Sequence, residues 1–163
     1  NWIDTARGYT VCEFFLGEAL EGGLREKFGL ATKSMSRTKE AMAQDIETSL
    51  HNLRTDYIDL YQIHNPSLAE LEQVTAPGGA LEALLEAKAA GRIGHIGVTA
   101  HMASVFEKAL TMDWVETVMF PYNIVETQGE ALIQRCREQN VGFICMQTLA
   151  GGALEGARRC VGL

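Results

Sequence analysis

Asp4, Tyr9, Lys33 and His64 supply a carboxylate, a phenol, an ammonium and an imidazole, the groups from which a proton-donating site can be assembled. A free phenol, with a reference pKa near ~10, is a poor proton donor at neutral pH. An ammonium beside it stabilises the phenolate, and a carboxylate beside the ammonium keeps that cation charged and in place. Tyr9, Lys33 and Asp4 can form that chain, while a ring N–H of His64 orients a carbonyl oxygen between imidazole and phenol. Such a pocket presents preorganised donors where alkoxide charge develops. It suits hydride delivery to a carbonyl with Tyr9 as the proton source. No side chain supplies hydride, so a cofactor must. Taken singly, each residue has a plainer role: Lys33 a solvated charge, Asp4 a turn cap, Tyr9 a packed loop aromatic, His64 a structural histidine. Their joint placement at strand ends carries the sharper reading.

The elements that must position these groups are legible along the chain. A short apolar strand over 1–4 delivers Asp4, and Tyr9 follows five residues later in a loop. Thr10-Val11-Cys12-Glu13 has the spacing of a capping box, predicting a helix to about Leu20 that Gly22-Gly23 stops. The stretch 28–33 reads as a strand ending on Lys33. Thr38 is expected to cap a helix whose Ala43, Ile46, Leu50 and Leu53 recur at helical spacing as a buried stripe. A strand over 57–64 ends on His64. The stretch 65–79, with Pro66 and Pro77, reads as a loop long enough to fold over a site. A helix over 80–90, with Leu81, Leu84 and Leu85 inward, stops at Gly91. Next come a strand over 93–99 and a helix over 102–110 with Val105, Phe106 and Ala109 inward. A strand over 115–122 follows, then a helix opened by a second capping box, Thr127 to Glu130, and ending near Asn140. The last strand covers 141–149, before Gly151-Gly152.

Strand and helix thus alternate six times, in units of roughly thirty residues, without a hairpin signal. This pattern predicts a parallel sheet with right-handed crossovers. An open doubly wound sheet and a piece of a closed barrel both fit. No G-x-G-x-x-G follows the first strand, which counts against a dinucleotide-binding open sheet. Barrels gather their chemistry at the C-terminal ends of the strands, where Asp4, Lys33 and His64 fall, and this favours a partial (β/α)8 barrel of the TIM type with about six β-α units.

The 163 residues form one domain by this reading, since domains most often hold roughly 100–150 residues. A formal charge of −7 argues against an extended nucleic-acid surface. No apolar run approaches the ~18 residues of a membrane span and no signal-peptide pattern opens the chain. Cys12, Cys136, Cys145 and Cys160 form no C-x-x-C pair and read as reduced, mostly packed thiols of a cytosolic protein. The chain is expected to be part of something larger, because it begins within a strand and stops without finishing an element.

The sequence also resembles the aldo-keto reductases. The similarity lies in Asp4-Thr5-Ala6 with Tyr9, in Ala31-Thr32-Lys33, and in the run Asp56-Tyr57-Ile58-Asp59-Leu60-Tyr61-Gln62-Ile63-His64. Gly91-Arg92-Ile93-Gly94-His95-Ile96-Gly97-Val98 and Pro121-Tyr122-Asn123 extend it, to about Leu154. Arg7-Gly8-Tyr9-Thr10 and Ala150-Gly151-Gly152-Ala153-Leu154 are most similar to bacterial members that carry an additional ferredoxin-like iron–sulfur segment. The resemblance implies an eight-stranded barrel, NADP(H) bound in extended form, and reduction of aldehydes or ketones. It places the catalytic tetrad on Asp4, Tyr9, Lys33 and His64, and cofactor contacts on Thr99, Met119, Met146 and Gly151. It also implies a chain lacking the first strand–helix unit and everything after the seventh strand.

Several positions depart from the family pattern. Thr99-Ala100 stands for Ser-Asn, Met119 for a glutamine whose amide hydrogen bonds methionine cannot make, and Met146 for the aromatic that stacks on nicotinamide. Gln147-Thr148 replaces a Lys-Pro or Ser-Pro pair. Six strands also leave two sheet edges open to another chain. Each ~100 Å² of apolar surface left wet forfeits ~2.5 kcal/mol, so marginal stability or self-association through those edges is expected. The rival reading is a non-catalytic barrel remnant or binding module without cofactor. Metal-dependent hydrolysis would need further ligands near His64, and His51, His95 and His101 are scattered along the chain.

Overall fold

The computed structural model describes residues 1–152. Six strands, β1 (Trp2–Asp4), β2 (Gly29–Ser34), β3 (Ile58–Ile63), β4 (Ile93–Thr99), β5 (Thr117–Pro121) and β6 (Gly142–Met146), pair in parallel in sequence order. Between them run α1 (Cys12–Ala19), α2 (Lys39–Asn52), α3 (Leu68–Thr75), α4 (Ala80–Ala89), α5 (Ala103–Ala109) and α6 (Glu130–Gln139), with a short 3-10 turn at Arg25–Lys27. A doubly wound sheet reverses its strand order to cover both faces. Here the order never reverses, so right-handed crossovers lay every helix on one face and curl the sheet. The fold is a partial (β/α)8 barrel, with β1 and β6 at its two open edges.

The main core lies between sheet and helices. Leu30, Tyr61, Ile63, Val98 and Phe120 from the strands meet Met42, Ile46, Leu84 and Phe106 from the helices, all buried. Since strand side chains alternate between faces, the intervening positions point to the concave side. Lys33 pairs with Gln62, Gln62 with Gly97, and Thr99 with Met119, which aligns these side chains across that side.

Several local expectations are corrected. Neither predicted capping box caps its helix: α1 starts after Val11 and α6 after Gly129, each without a side-chain cap. Glu13 turns inward instead and is buried. On α2, Ala43 is exposed, and the buried stripe runs through Met42, Ile46, Ser49 and Leu50; Thr38 caps this helix as expected. On α4, Leu85 is exposed and Ala83, Leu84 and Ala87 face the core. The last two strands are shorter than their apolar runs, β6 because the chain turns after Met146. Cys12 and Cys145 are exposed and Cys136 buried, all as free thiols; Cys160 and the Ala153-Leu154 pair lie outside the described residues. Among the described residues, no helix is long and apolar enough to cross a membrane.

The stretch 65–79 is not one loop, since it contains α3. Ser67 Oγ accepts from Glu70 N at 3.2 Å and the Glu70 carboxylate accepts from Ser67 N at 2.7 Å, a complete capping box. Ser67-x-x-Glu70, with Leu71 and Val74 on the buried side, was the signal for it. Ser67→Ala is expected to cost about 1 kcal/mol in urea denaturation; an unchanged midpoint would show that the cap contributes nothing.

Candidate active site

Lys33, only 2% exposed, projects from β2 to the concave side. Its Nζ donates to Asp4 Oδ2 at 2.5 Å and to the Thr5 carbonyl at 2.8 Å. Asp4, at the end of β1, also accepts from Gln62 Nε2 at 3.2 Å, so one carboxylate joins three strands. The Lys33 ammonium lies 5.0 Å from the centroid of the Tyr9 ring. Tyr9 in turn meets the His64 ring edge-on, with centroids 6.0 Å apart. Tyr9 is 44% exposed, and its hydroxyl has no hydrogen-bond partner among the described residues. The four groups converge on one face at the C-terminal ends of three adjacent strands.

His64 continues the β2–β3 pairing by donating its N–H to the Ser34 carbonyl at 2.9 Å. Arg37 Nη2 donates to the His64 carbonyl at 2.9 Å and the same guanidinium pairs with Glu70. Burial, followed by the charges of Lys33, Arg37 and His101, pushes the His64 imidazole down from 6.5 to about 4. The ring is therefore neutral at physiological pH. Above the unfolded value of 6.5 it is neutral in both folded and unfolded chains. As pH falls from there toward about 4, only the unfolded chain takes up the proton, so stability is lost on acidification. A proton NMR titration of the His64 ring is expected to give a midpoint near 4; an ordinary midpoint near 6.5 would contradict the burial argument.

The residues expected to touch a cofactor lie farther along the same rim. Thr99 is buried at the end of β4, and its Oγ1 accepts from Asn65 N at 2.8 Å, leaving the hydroxyl proton uncommitted. Met119 is buried beside it on β5, and Met146 is half-buried at the end of β6, paired with Pro121. Gly151 is exposed with φ 62°. Thr99, Met119 and Met146 lie on one side of the sheet as a mostly apolar stretch with one free hydroxyl. That donor set fits a flat, largely apolar ring, with a single hydrogen bond to its substituent.

Sequence reasoning missed several members. Gln62 braces Asp4, and Thr5 binds Lys33 through its carbonyl; only the strand pairing reveals both. His101, read as remote, has its N–H bonded to Asn65 Oδ1 at 3.2 Å, one residue beyond His64. A second polar cluster lies on the helix side of β2. There Glu13 accepts from Thr32 Oγ1 and Ser49 Oγ, both at 2.8 Å, and from Arg7 Nη1 at 2.7 Å. Thr32 and Ser34, polar positions on the core-facing side of an otherwise apolar strand, were its sequence signal.

Among models of protein families, that of the aldo/keto reductase family matches residues 1–160. The chain belongs to this family. Aldo-keto reductase YhdN of Bacillus subtilis (strain 168) is 30% identical to it, the match covering 94% of this chain and 49% of the relative. Among solved structures, the holo form of aldo-keto reductase AKR11C1 from Bacillus halodurans superimposes with a TM-score of 0.81 at 28% identity, covering 93% of this chain and 54% of that one. An aldo/keto reductase from Klebsiella pneumoniae, in complex with NADP and acetate, gives 0.80 at 26% identity over 96% of this chain and 56% of that one. The chain spans about half the length of the curated relatives it matches.

Proposed function

We propose that this aldo/keto reductase chain forms the NADP(H)-dependent carbonyl-reducing centre of a cytoplasmic oxidoreductase, with Tyr9 as proton donor. The observation that carries the reading is Lys33, whose ammonium is bound to Asp4 at 2.5 Å while lying 5.0 Å from the Tyr9 ring. The Klebsiella pneumoniae relative, solved in complex with NADP, supports the choice of cofactor. Thr99, Met119, Met146 and Gly151 would hold its nicotinamide end. Bound there, the cofactor supplies the hydride.

The chain's own residues handle the proton and the charge. His64 is neutral, and its Nδ1 is buried without a partner among the described residues. A buried orphan N–H costs more than a buried orphan lone pair can gain, so the ring proton is carried on Nε2. From there it donates to the carbonyl oxygen and orients it. Tyr9 hands its hydroxyl proton to that oxygen as negative charge builds on it, and the phenolate left behind is stabilised by Lys33. Asp4 and the Thr5 carbonyl keep the ammonium aimed at the ring. The substrate class is a small aldehyde or ketone. The likeness to iron–sulfur-bearing members at 7–10 and 150–154 belongs to the same proposal.

The test is titration of the protein with NADPH followed by fluorescence, then addition of aldehydes with loss of NADPH absorbance as the readout. Quenching or a spectral shift, with carbonyl-dependent oxidation, is expected. No change at high micromolar protein would favour a scaffold that binds no cofactor. The open edges of β1 and β6 extend the proposal to self-association through a second copy. Light scattering on dilution is expected to show a falling mass; a concentration-independent monomer with a cooperative melt would refute it.

A further inference from the structure

We infer that Arg7 is a positioning residue for Tyr9, clamping the turn that carries the phenol and tying it to the strand that carries Lys33. The inference rests on the role proposed for Tyr9, and it starts from how little else restrains that residue. Arg7 N donates to the Lys33 carbonyl at 3.0 Å, the last backbone bond from this turn to β2. Beyond it, the hydrogen bonds of Tyr9 among the described residues are turn bonds to Ala6 and Cys12, and its ring, against His64 and Lys33, is 44% exposed. Packing alone does not fix such a ring.

Arg7 and Glu13 flank Tyr9 in sequence, and their ion pair at 2.7 Å closes the turn across its base. Glu13 is itself immobilised, being 1% exposed and bonded to Thr32 on β2 and Ser49 on α2. The other side of the guanidinium reaches Asp45 on α2, Nε to Oδ1 at 3.4 Å. Asp45 accepts from the hydroxyls of Ser34 and Ser36. Thr32 and Ser34 are the two chain neighbours of Lys33. Both carboxylates that grip Arg7 are therefore tied to the residues on either side of Lys33, from the opposite face of the sheet. A planar guanidinium holds two carboxylates in one fixed fork; a lysine ammonium, a point charge on a flexible stem, does not fix their relative orientation.

Arg7→Lys keeps a cation for Glu13 and is the variant to study, with Arg7→Met beside it. The readout is the upfield displacement that the Tyr9 ring imposes on the Lys33 ε-methylene protons, defined by the difference between the wild type and Tyr9→Leu. Both Arg7 variants are expected to lose most of this displacement. Val118→Ala, a core truncation on β5 that lowers stability away from Arg7, is expected to retain it. In carbonyl turnover, Arg7→Lys is expected to lower kcat about 10-fold or more, with KM for NADPH unchanged within about two-fold. A displacement unchanged in folded Arg7→Lys, or lost equally in Val118→Ala, would overturn the inference. Should the wild type show no turnover, the reading of Tyr9 as proton donor fails, while the NMR comparison still decides whether Arg7 sets the ring.

Discussion

Tyr9→Phe is expected to lower carbonyl turnover about 10²–10⁴-fold, the range that loss of a positioned general acid commands. Affinity for NADPH and the thermal midpoint are expected to stay at wild-type values. The asymmetry follows from the environment of the ring. Among the described residues its hydroxyl bonds to nothing, and the ring is 44% exposed, so phenylalanine leaves no polar group stranded and no cavity behind. What it removes is the proton. Lys33→Met is expected to reduce turnover too, but with a stability cost, because it leaves the Asp4 carboxylate facing the concave side without its cation. Steady-state rates with a simple aldehyde, alongside thermal melts, separate the two. Full turnover by Tyr9→Phe would remove Tyr9 from the chemistry.

The second large effect is on folding. Glu13→Ala is expected to destabilise the protein by about 3–5 kcal/mol, the cost of breaking a buried charge pair by removing one partner. That is a large share of a total stability that is typically ~5–15 kcal/mol. The carboxylate is 1% exposed and accepts from Arg7, Thr32 and Ser49. Truncation takes the acceptor from the buried Thr32 and Ser49 hydroxyls and from Arg7 and Asn52, which reach the same carboxylate. Tyr61 belongs to the same cluster, with its hydroxyl 3.3 Å from Ser49 Oγ and its ionisation pushed upward, chiefly by burial. Urea denaturation measures the effect, and a loss below about 1 kcal/mol would mean that the cluster is incidental.

The repeating strand–helix units were legible because each is written locally, in apolar runs and glycine stops. Convergence of Asp4, Lys33 and His64 followed from one rule, that strand ends share a rim. What was not legible depends on pairing between distant segments. Glu13 three residues after Thr10 has the spacing of a cap, and nothing local says that its carboxylate serves Thr32 and Ser49 instead. Gln62 looked like one more residue in a buried strand, until the β2–β3 pairing set it beside Lys33 and within reach of Asp4. Ala43 and Met42 differ by one helical step, and the apolar period tolerates either as the inward position. The helix α3 was missed for another reason. Two prolines suggested a loop, although Ser67 and Glu70 were already spelling out its start.

β2 carries polar cargo on both faces, with Lys33 on one side and Thr32 and Ser34 on the other. A slip of this strand by a single residue would swap the faces. It would drive an ammonium among the apolar side chains under α2 and leave two carboxylates there without hydroxyls. Misaligned pairings of the first three strands are thereby penalised far more than an all-apolar strand would penalise them. Lys33 and its two hydroxyl neighbours thus also serve as the index mark by which the sheet finds its alignment.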